Sequence, residues 1–355
     1  MIKKLNVAVV FGGKSGEHEV SLMSATNVIK AMDKEKYNIY MIGITKQGKW
    51  MAYNGEVDKI ADGSWEKEAV GVDREETINL LFSNILNGKA ERNIDVVFPV
   101  LHGPNGEDGT IQGLFEMLDV PYVSCGVMAS ALGMDKGISK QLFKDAGLSV
   151  GDYTVVLKTD IEKDIESVTA MVEDKFNYPV FIKPVNMGSS VGITKAHNIG
   201  ELIVGLMAAC RYDRKVMIEK NINSREFECA VLGNNDPVAS GIGEVIPSNE
   251  FYDYEAKYFD DGKSVLVIPA ELPDGKIQEM REAAVKAFKA LDCCGMSRAD
   301  FFMEKETGKI YINEINTIPG FTKISMYPKL WDEAGLSYSK LIDKLIELAI
   351  ERYNE

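Results

Sequence analysis

The sequence predicts a composite α/β and α+β fold: an open parallel α/β domain over the first third, then α+β organisation behind it. Three observations predict it. Apolar runs alternate with helix-spaced patterns up to about residue 133, as in strand–helix units that feed a parallel sheet. From residue 134 the strand-like runs become short and closely spaced, with longer helical patterns set apart from them. The 355 residues, 45% hydrophobic and 26% charged, supply apolar material for two or three domains.

The elements follow in order. Residues 7–11 are an apolar run entering the turn Gly12-Gly13. Met1-Ile2-Lys3-Lys4 before it resembles a secretion signal, but no small-residue cleavage site follows, so a first strand is expected. Residues 20–32 read as a helix, 38–44 as a second strand and 56–76 as a polar surface insertion. A third strand at 95–100, a helix at 108–118 and a short strand at Tyr122-Val123 complete the front part. Ligands of such a sheet bind outside the strand C-termini. A helix at 135–146 ends at Gly147, a plausible C-cap. Strands are expected at 154–157, 180–183, 191–194 and 216–219, with a helix at 164–173. Further close-set strands lead to a helix at 276–291, strands at 299–304 and 310–315, and a last helix at 338–353.

Charge and composition exclude several functions. A formal charge of −14 does not supply the basic surface that duplex nucleic acid requires. No apolar run reaches the roughly 18–20 residues of a membrane span. Cys125, Cys210, Cys229, Cys293 and Cys294 form no CxxC pair, and an odd count suits free thiols in a reducing cytoplasm. His18, His102 and His197 are far apart in sequence, so any metal here is expected on oxygen ligands.

Four segments carry chemistry. Asp300 opens one strand, a turn at 305–308 reverses the chain, and Glu314 and Asn316 sit two apart on the next. Residues two apart on a strand share a face, so the hairpin can gather two carboxylates and an amide oxygen, a hard set for Mg²⁺ beside phosphates. Surface carboxylates on an edge hairpin are the plain alternative. Lys183 ends a strand ahead of Gly188-Ser189-Ser190, where small residues let backbone N–H groups approach phosphate; such loops are also ordinary turns. Residues 216–219 end in Glu219-Lys220-Asn221-Ile222, with Glu226 close behind: one acid suits an adenine amino group and the other ribose hydroxyls, or both are solvated. Tyr252, Tyr254 and Tyr258 alternate with Asp253, Glu255 and Lys257 in a segment suited to a lid, or to an exposed aromatic edge. Gly13-Lys14-Ser15 is not a Walker A end, because Ala8 stands where that pattern needs glycine.

Taken in order, Lys136, Lys183, residues 188–190, Glu219, Glu226, Lys257, Asp300, Glu314 and Asn316 resemble the ATP-grasp fold, in which two α+β subdomains clasp ATP. The resemblance implies an N-terminal Rossmann-like domain at 1–133, a central subdomain at 134–222, and a C-terminal subdomain with metal site and lid at 223–355. More narrowly, the motifs are similar almost end to end to the D-alanine–D-alanine ligase family. They are Gly12-Gly13-Lys14-Ser15-Gly16-Glu17-His18-Glu19-Val20-Ser21, His102-Gly103-Pro104-Asn105-Gly106-Glu107-Asp108-Gly109, Met134-Asp135-Lys136, Ser297-Arg298-Ala299-Asp300, and the segments 252–258 and 313–320.

That resemblance implies an ADP-forming ligase. ATP phosphorylates the carboxylate of one D-alanine, and the amine of a second attacks the acyl phosphate. Glu17 would hold the first ammonium, though a helix-start role is its alternative. Ser189 and Tyr258 would link to Glu17, and Arg298 with the Gly320 N–H would stabilise the tetrahedral oxyanion. Lys136, Lys183, Ser190, Glu219, Lys220, Ile222, Glu226 and Lys257 would contact ATP. Ser325 and Met326 would receive the second carboxylate, and His102 with Glu107 would sit near the first subsite, or His102 is simply buried. Asp300, Glu314 and Asn316 would hold two Mg²⁺ (or Mn²⁺) ions. Met187 departs from relatives that carry an acid there. Tyr258 and the apolar Met326 favour D-alanine over D-lactate or D-serine as second substrate. A D-serine ligase and a silent nucleotide-binding regulator are the alternatives. D-alanine and ATP are the expected partners, with neither nucleic acid nor membrane. Members are often homodimers, and a cytoplasmic place in peptidoglycan precursor synthesis is implied.

Overall fold

Residues 3–69, 94–246 and 265–355 are described by the computed structural model. The first sheet grows from the apolar runs at the front of the chain. β1 (Leu5–Gly12) leads through α1 (His18–Ala31) to β2 (Tyr37–Ile44), and β3 (Trp50–Tyr53) and β4 (Val96–Val100) complete the order β3-β2-β1-β4. β1 is parallel to β2 and β4 and its residues 7–11 are fully buried, which is why they read as a continuous apolar run. β3, antiparallel on β2, escapes a sequence reading because four residues carry little periodicity.

The expected surface insertion is corrected over its described part. Residues 56–69 hold α2 (Asp58–Ala61) and α3 (Trp65–Glu68), and Trp65 is fully buried, its ring edge-on to Phe11 at 5.1 Å. Ile60 and Ala69 are buried in the same core, and the surrounding charge hides all three anchors. Residues 70–76 lie outside the described residues. α4 (Thr110–Met117) follows, and Tyr122 joins the sheet by one parallel bridge to Val97.

The helix expected at 135–146 is present, and a helix that the sequence reading did not foresee stands just before it. α5 (Val127–Met134) and α6 (Lys136–Asp145) are separated by Asp135, which leaves helical geometry and accepts the Gly137 and Ile138 N–H groups at 3.1 Å each. Gly147, at φ +75°, ends the turn after α6 as expected.

The central sheet holds β5 (Tyr153–Leu157), β6 (Val180–Pro184), β7 (Thr194–Ala196) and β8 (Lys215–Lys220), all antiparallel in the order β5-β8-β6-β7. α7 (Lys158–Lys163), α8 (Ile165–Lys175) and α9 (Ile199–Ala209) accompany it. The strand expected at 191–194 begins only at Thr194, because Gly192 at φ +74° still belongs to the loop.

The third sheet, ordered β11-β10-β9-β12-β13, contains β9 (Ser224–Gly233), β10 (Val238–Ile246), β11 (Val265–Val267), β12 (Gly295–Glu304) and β13 (Ile310–Asn316). α10 (Asp274–Ala290), α11 (Met326–Glu333) and α12 (Tyr338–Tyr353) pack around it. Asp300 lies inside β12 rather than at its start.

Two of the cores show how the parts join. Val9 and Phe98 of the first sheet share one core with Phe321, Tyr327 and Leu345 from the end of the chain. The central sheet and its helices enclose a core of their own, from Val156 to Ile218. No described helix is long and apolar enough to cross a membrane. All five cysteines are free thiols.

Candidate active site

A cavity of about 630 Å³ opens where the central sheet faces the third sheet. Lys183 enters it from β6, Glu219 and Lys220 from β8, and Glu226 from β9, with Ile222 on the connection. This volume lies within the roughly 300–1,000 Å³ typical of small-molecule clefts. The sequence reading missed Lys140, one turn after Lys136 on α6 and therefore on the same face. Lys140 Nζ lies 3.0 Å from the Glu219 carboxylate, which Lys183 also contacts, and all three side chains are buried. Burial alone would raise the Glu219 carboxyl's pKa, but the two ammonium groups outweigh it and bring it down to about 2. Burial works against both charged lysines. At Lys183 the Glu219 and Glu314 charges prevail and the pKa rises, whereas at Lys140 burial prevails and it falls.

The β12–β13 hairpin gathers the proposed metal ligands as the spacing predicts. Asp300 stands opposite Glu314 and Arg298 opposite Asn316, with a bulge just after Asp300. Arg298 grips Asp300 through Nε at 2.7 Å and Nη2 at 2.6 Å, and Asn316 Nδ2 donates to the same carboxylate at 3.0 Å. Glu228, opposite Asp300 on β9, lies 2.9 Å from Arg298 Nε. Its position two residues after Glu226 was a usable strand signal that the sequence reading passed over. Lys136 Nζ is 3.3 Å from Glu314 and donates to the Met187 carbonyl at 2.9 Å. The two carboxylates and amide oxygen suit a hard divalent cation. Among the described residues no group of three His, Cys, Asp or Glu side chains is placed to hold an ion.

Glu17 immediately precedes α1, yet its side chain makes no capping bond. Its carboxylate instead receives the Ser189 hydroxyl from 172 residues away, while its charge at the start of α1 still suits the helix dipole. Gly188 approaches closely, since a Cβ there would lie 3.1 Å from Glu17 Oε2. Ser189 and Ser190 hold φ values of +47° and +60°, left-handed geometry that is uncommon for residues other than glycine. Asp213 anchors the loop's start by accepting from Asn186 N and Nδ2 at 2.7 and 2.8 Å. Lys14, by contrast, runs past Gly48 and takes no part in such a loop: a Cβ at Gly48 would lie 2.8 Å from Lys14 Cδ.

His102 is buried beside this subsite. Its Nδ1 meets the Ile318 carbonyl at 3.2 Å and Glu107 Oε1 at 3.4 Å, and its carbonyl accepts the Ser15 hydroxyl at 2.7 Å. Burial pushes the Glu107 carboxyl up. Burial also pulls the His102 imidazole down, but the facing Glu107 carboxylate outweighs it and the net shift is upward. Gly320 lies close to Ser325, whose Oγ accepts the Thr322 N–H at 2.9 Å; a Cβ at Gly320 would come within 2.7 Å of it. Met326 heads α11 with its side chain buried in the core against Gly243. Lys257 and Tyr258, with the rest of 252–258, lie outside the described residues.

The chain is similar to known proteins over its whole length. The family model described as D-ala D-ala ligase N-terminus matches residues 6–125, and the one described as D-ala D-ala ligase C-terminus matches residues 142–347. D-alanine–D-alanine ligase of Thermoanaerobacter sp. (strain X514) is 58% identical, covering 100% of this chain and 99% of that protein. The Acetivibrio thermocellus enzyme of the same name is 55% identical over 99% of this chain and 97% of its own length. Among solved structures, the VanG D-Ala:D-Ser ligase from Enterococcus faecalis superposes with a TM-score of 0.83 at 39% identity, covering 98% of this chain and 100% of that one. The D-alanine–D-alanine ligase from Coxiella burnetii gives 0.83 at 34% identity, covering 99% of this chain and 95% of that one. The family members and the ATP-grasp folds of those structures match the present chain from end to end, and it belongs to the D-alanine–D-alanine ligase family.

Proposed function

We propose that the protein joins two D-alanine molecules to D-alanyl-D-alanine through an acyl phosphate, releasing ADP and phosphate, for peptidoglycan precursor synthesis. The observation that carries this reading is the Glu17–Ser189 contact, which joins an ammonium-binding carboxylate to the loop at the nucleotide cavity's edge. A carboxylate is a poor electrophile, so phosphorylation supplies its leaving group, and positioning with charge neutralisation performs most of such a transfer.

Glu17 pairs with the first ammonium and turns that substrate's carboxylate toward the cavity. Lys136 and Lys183 offset the charge of the transferring phosphate and the Ser189–Ser190 backbone donates to it, and Lys257 is a further ATP contact that the family resemblance implies. Ile222, Lys220, Glu219 and Glu226 seat the nucleoside, and Asp300, Glu314 and Asn316 would hold two divalent ions, Mg²⁺ with Mn²⁺ able to replace it. When bound, the metal offsets phosphate charge. Arg298 and the Gly320 N–H then meet the oxyanion formed when the second amine attacks. Ser325 and Met326 belong to the segment receiving the second carboxylate, His102 braces the first subsite, and Tyr258 would link to Ser189 and Glu17 as the family resemblance implies. The division at 1–133, 134–222 and 223–355, a cytoplasmic location and a homodimer complete the reading; the free thiols suit that compartment.

The experiment is to supply ATP and Mg²⁺ with equimolar D-alanine, D-serine and D-lactate, then measure phosphate and identify products by mass. D-alanyl-D-alanine as the main product is expected. A predominance of D-alanyl-D-serine would move the assignment to the activity named for the Enterococcus structure, and no phosphate release would remove the ligase reading altogether.

A further inference from the structure

The loop between β13 and α11 carries Gly320, and two buried side chains grip it on either side. Ile318 O receives a hydrogen bond from His102 Nδ1 at 3.2 Å, and Phe321 N donates to Ser24 Oγ at 3.2 Å. Ser24 Oγ also lies 3.2 Å from His102 Nε2, so Ser24 and His102 brace the Ile318–Phe321 segment together. The protons in this ring can be accounted for. A carbonyl oxygen only accepts, so Nδ1 carries a hydrogen; a backbone N–H only donates, so Ser24 Oγ accepts from Phe321. With neutral imidazole the Ser24 hydroxyl donates to Nε2. With imidazolium, Nε2–H donates to the second lone pair of Oγ. The bridge holds in both states.

The other end of the brace is α1. Asn27, one turn beyond Ser24, donates from Nδ2 to Phe321 O at 3.3 Å, so the same helix holds both the N–H and the C=O of Phe321. Tyr338 adds a second donor to that carbonyl at 2.7 Å. Glu17 lies seven residues before Ser24, which is two helical turns, about 10 Å along the axis and nearly the same face. From this we propose that Ser24 is a positioning residue for the reaction: through Ser24, α1 acts as a rigid spacer fixing the Gly320 amide relative to the substrate held by Glu17. Oxyanion stabilisation depends on donors placed in advance, and a loop held only at its ends would not supply that placement. The proposal rests on the roles given above to Glu17 and Gly320.

The test compares wild type with Ser24→Ala and Asn27→Ala, measuring kcat, the two Michaelis constants for D-alanine and ATP, and thermal unfolding. Ser24→Ala is expected to lower kcat about 10- to 100-fold, with less than threefold change in KM for ATP and for the first D-alanine. Asn27→Ala should lower kcat about 3- to 10-fold in the same pattern. A lower unfolding temperature with kcat per folded enzyme at wild-type level would overturn the proposal, since that is the signature of a purely structural hydroxyl. If Ser24→Ala does not fold, Asn27→Ala decides by the same criterion. A wild type that forms no dipeptide would instead defeat the ligase reading, so the two failures are distinguishable.

Discussion

Glu17 stands at the start of α1 without capping it. Its charge is directed at the Ser189 loop, where a bound ammonium would face it, so Glu17→Gln keeps size but removes the ion pair. KM for the first D-alanine should rise about 10-fold or more while KM for ATP changes less than threefold; equal small changes in both would return Glu17 to a structural role. Glu219 has a different kind of consequence, because it neutralises Lys140 and Lys183 within one buried cluster. Its folded pKa of about 2 lies below the ordinary 4.5. The sign follows: the pairing contributes stability above about pH 4.5 and loses it as pH falls toward 2, by about 3 kcal/mol in all. Glu219→Gln removes the carboxylate in contact with two buried ammonium groups, leaving them only more distant acids such as Glu314, and should cost about 3 kcal/mol at pH 7. Urea unfolding of both proteins at pH 7, 5 and 3 checks this, with the gap expected to shrink by more than half at pH 3. A gap independent of pH would mean the cluster is not what Glu219 supports.

At the scale of elements, the β12–β13 hairpin shows how far local pattern reaches. Glu314 and Asn316 two apart, with a turn between them and Asp300, were enough to foresee the juxtaposition, because alternation and hairpin register are local properties. Glu314→Gln should lower turnover at least 100-fold and raise the Mg²⁺ concentration for half-maximal activity, while circular dichroism stays that of the folded protein. Wild-type turnover at saturating Mg²⁺ would exclude Glu314 as a ligand. What the sequence hid is equally physical. α5 is apolar nearly all round and carries little helical periodicity, so it went unforeseen ahead of Asp135, which itself pairs with Lys215, a partner 80 residues away. Trp65 is apolar in a polar neighbourhood, so its burial against Phe11 leaves no periodic trace. Ser24 and Phe321 meet across 297 residues, and nothing in the composition of either segment announces the contact. Elements of strong periodicity, such as α12, were legible to the residue; contacts set by tertiary packing were not.

Across the whole molecule, the chain's two ends share a core that its order in sequence conceals. Leu345 on α12 is fully buried in the same cluster as Val96 and Phe98 of β4, and α12 also contacts α1 and β12. The first sheet is therefore covered partly by the last helix, and the two should open as one cooperative unit. The central sheet encloses a separate core made only of residues between Val156 and Ile218, so it need not join that opening. Leu345→Ala removes side-chain volume where no solvent can replace it and should cost about 2–5 kcal/mol. Native-state hydrogen exchange reads where that loss is felt. The slowest amides of β1 and β4 should accelerate by the same factor as those of α12, while those of β6 and β8 keep their wild-type rates. Acceleration confined to α12 would mean that the helix is peripheral and that the first sheet is stable without it. Equal acceleration in β8 would mean that the central lobe is not an independent unit and opens together with the first sheet.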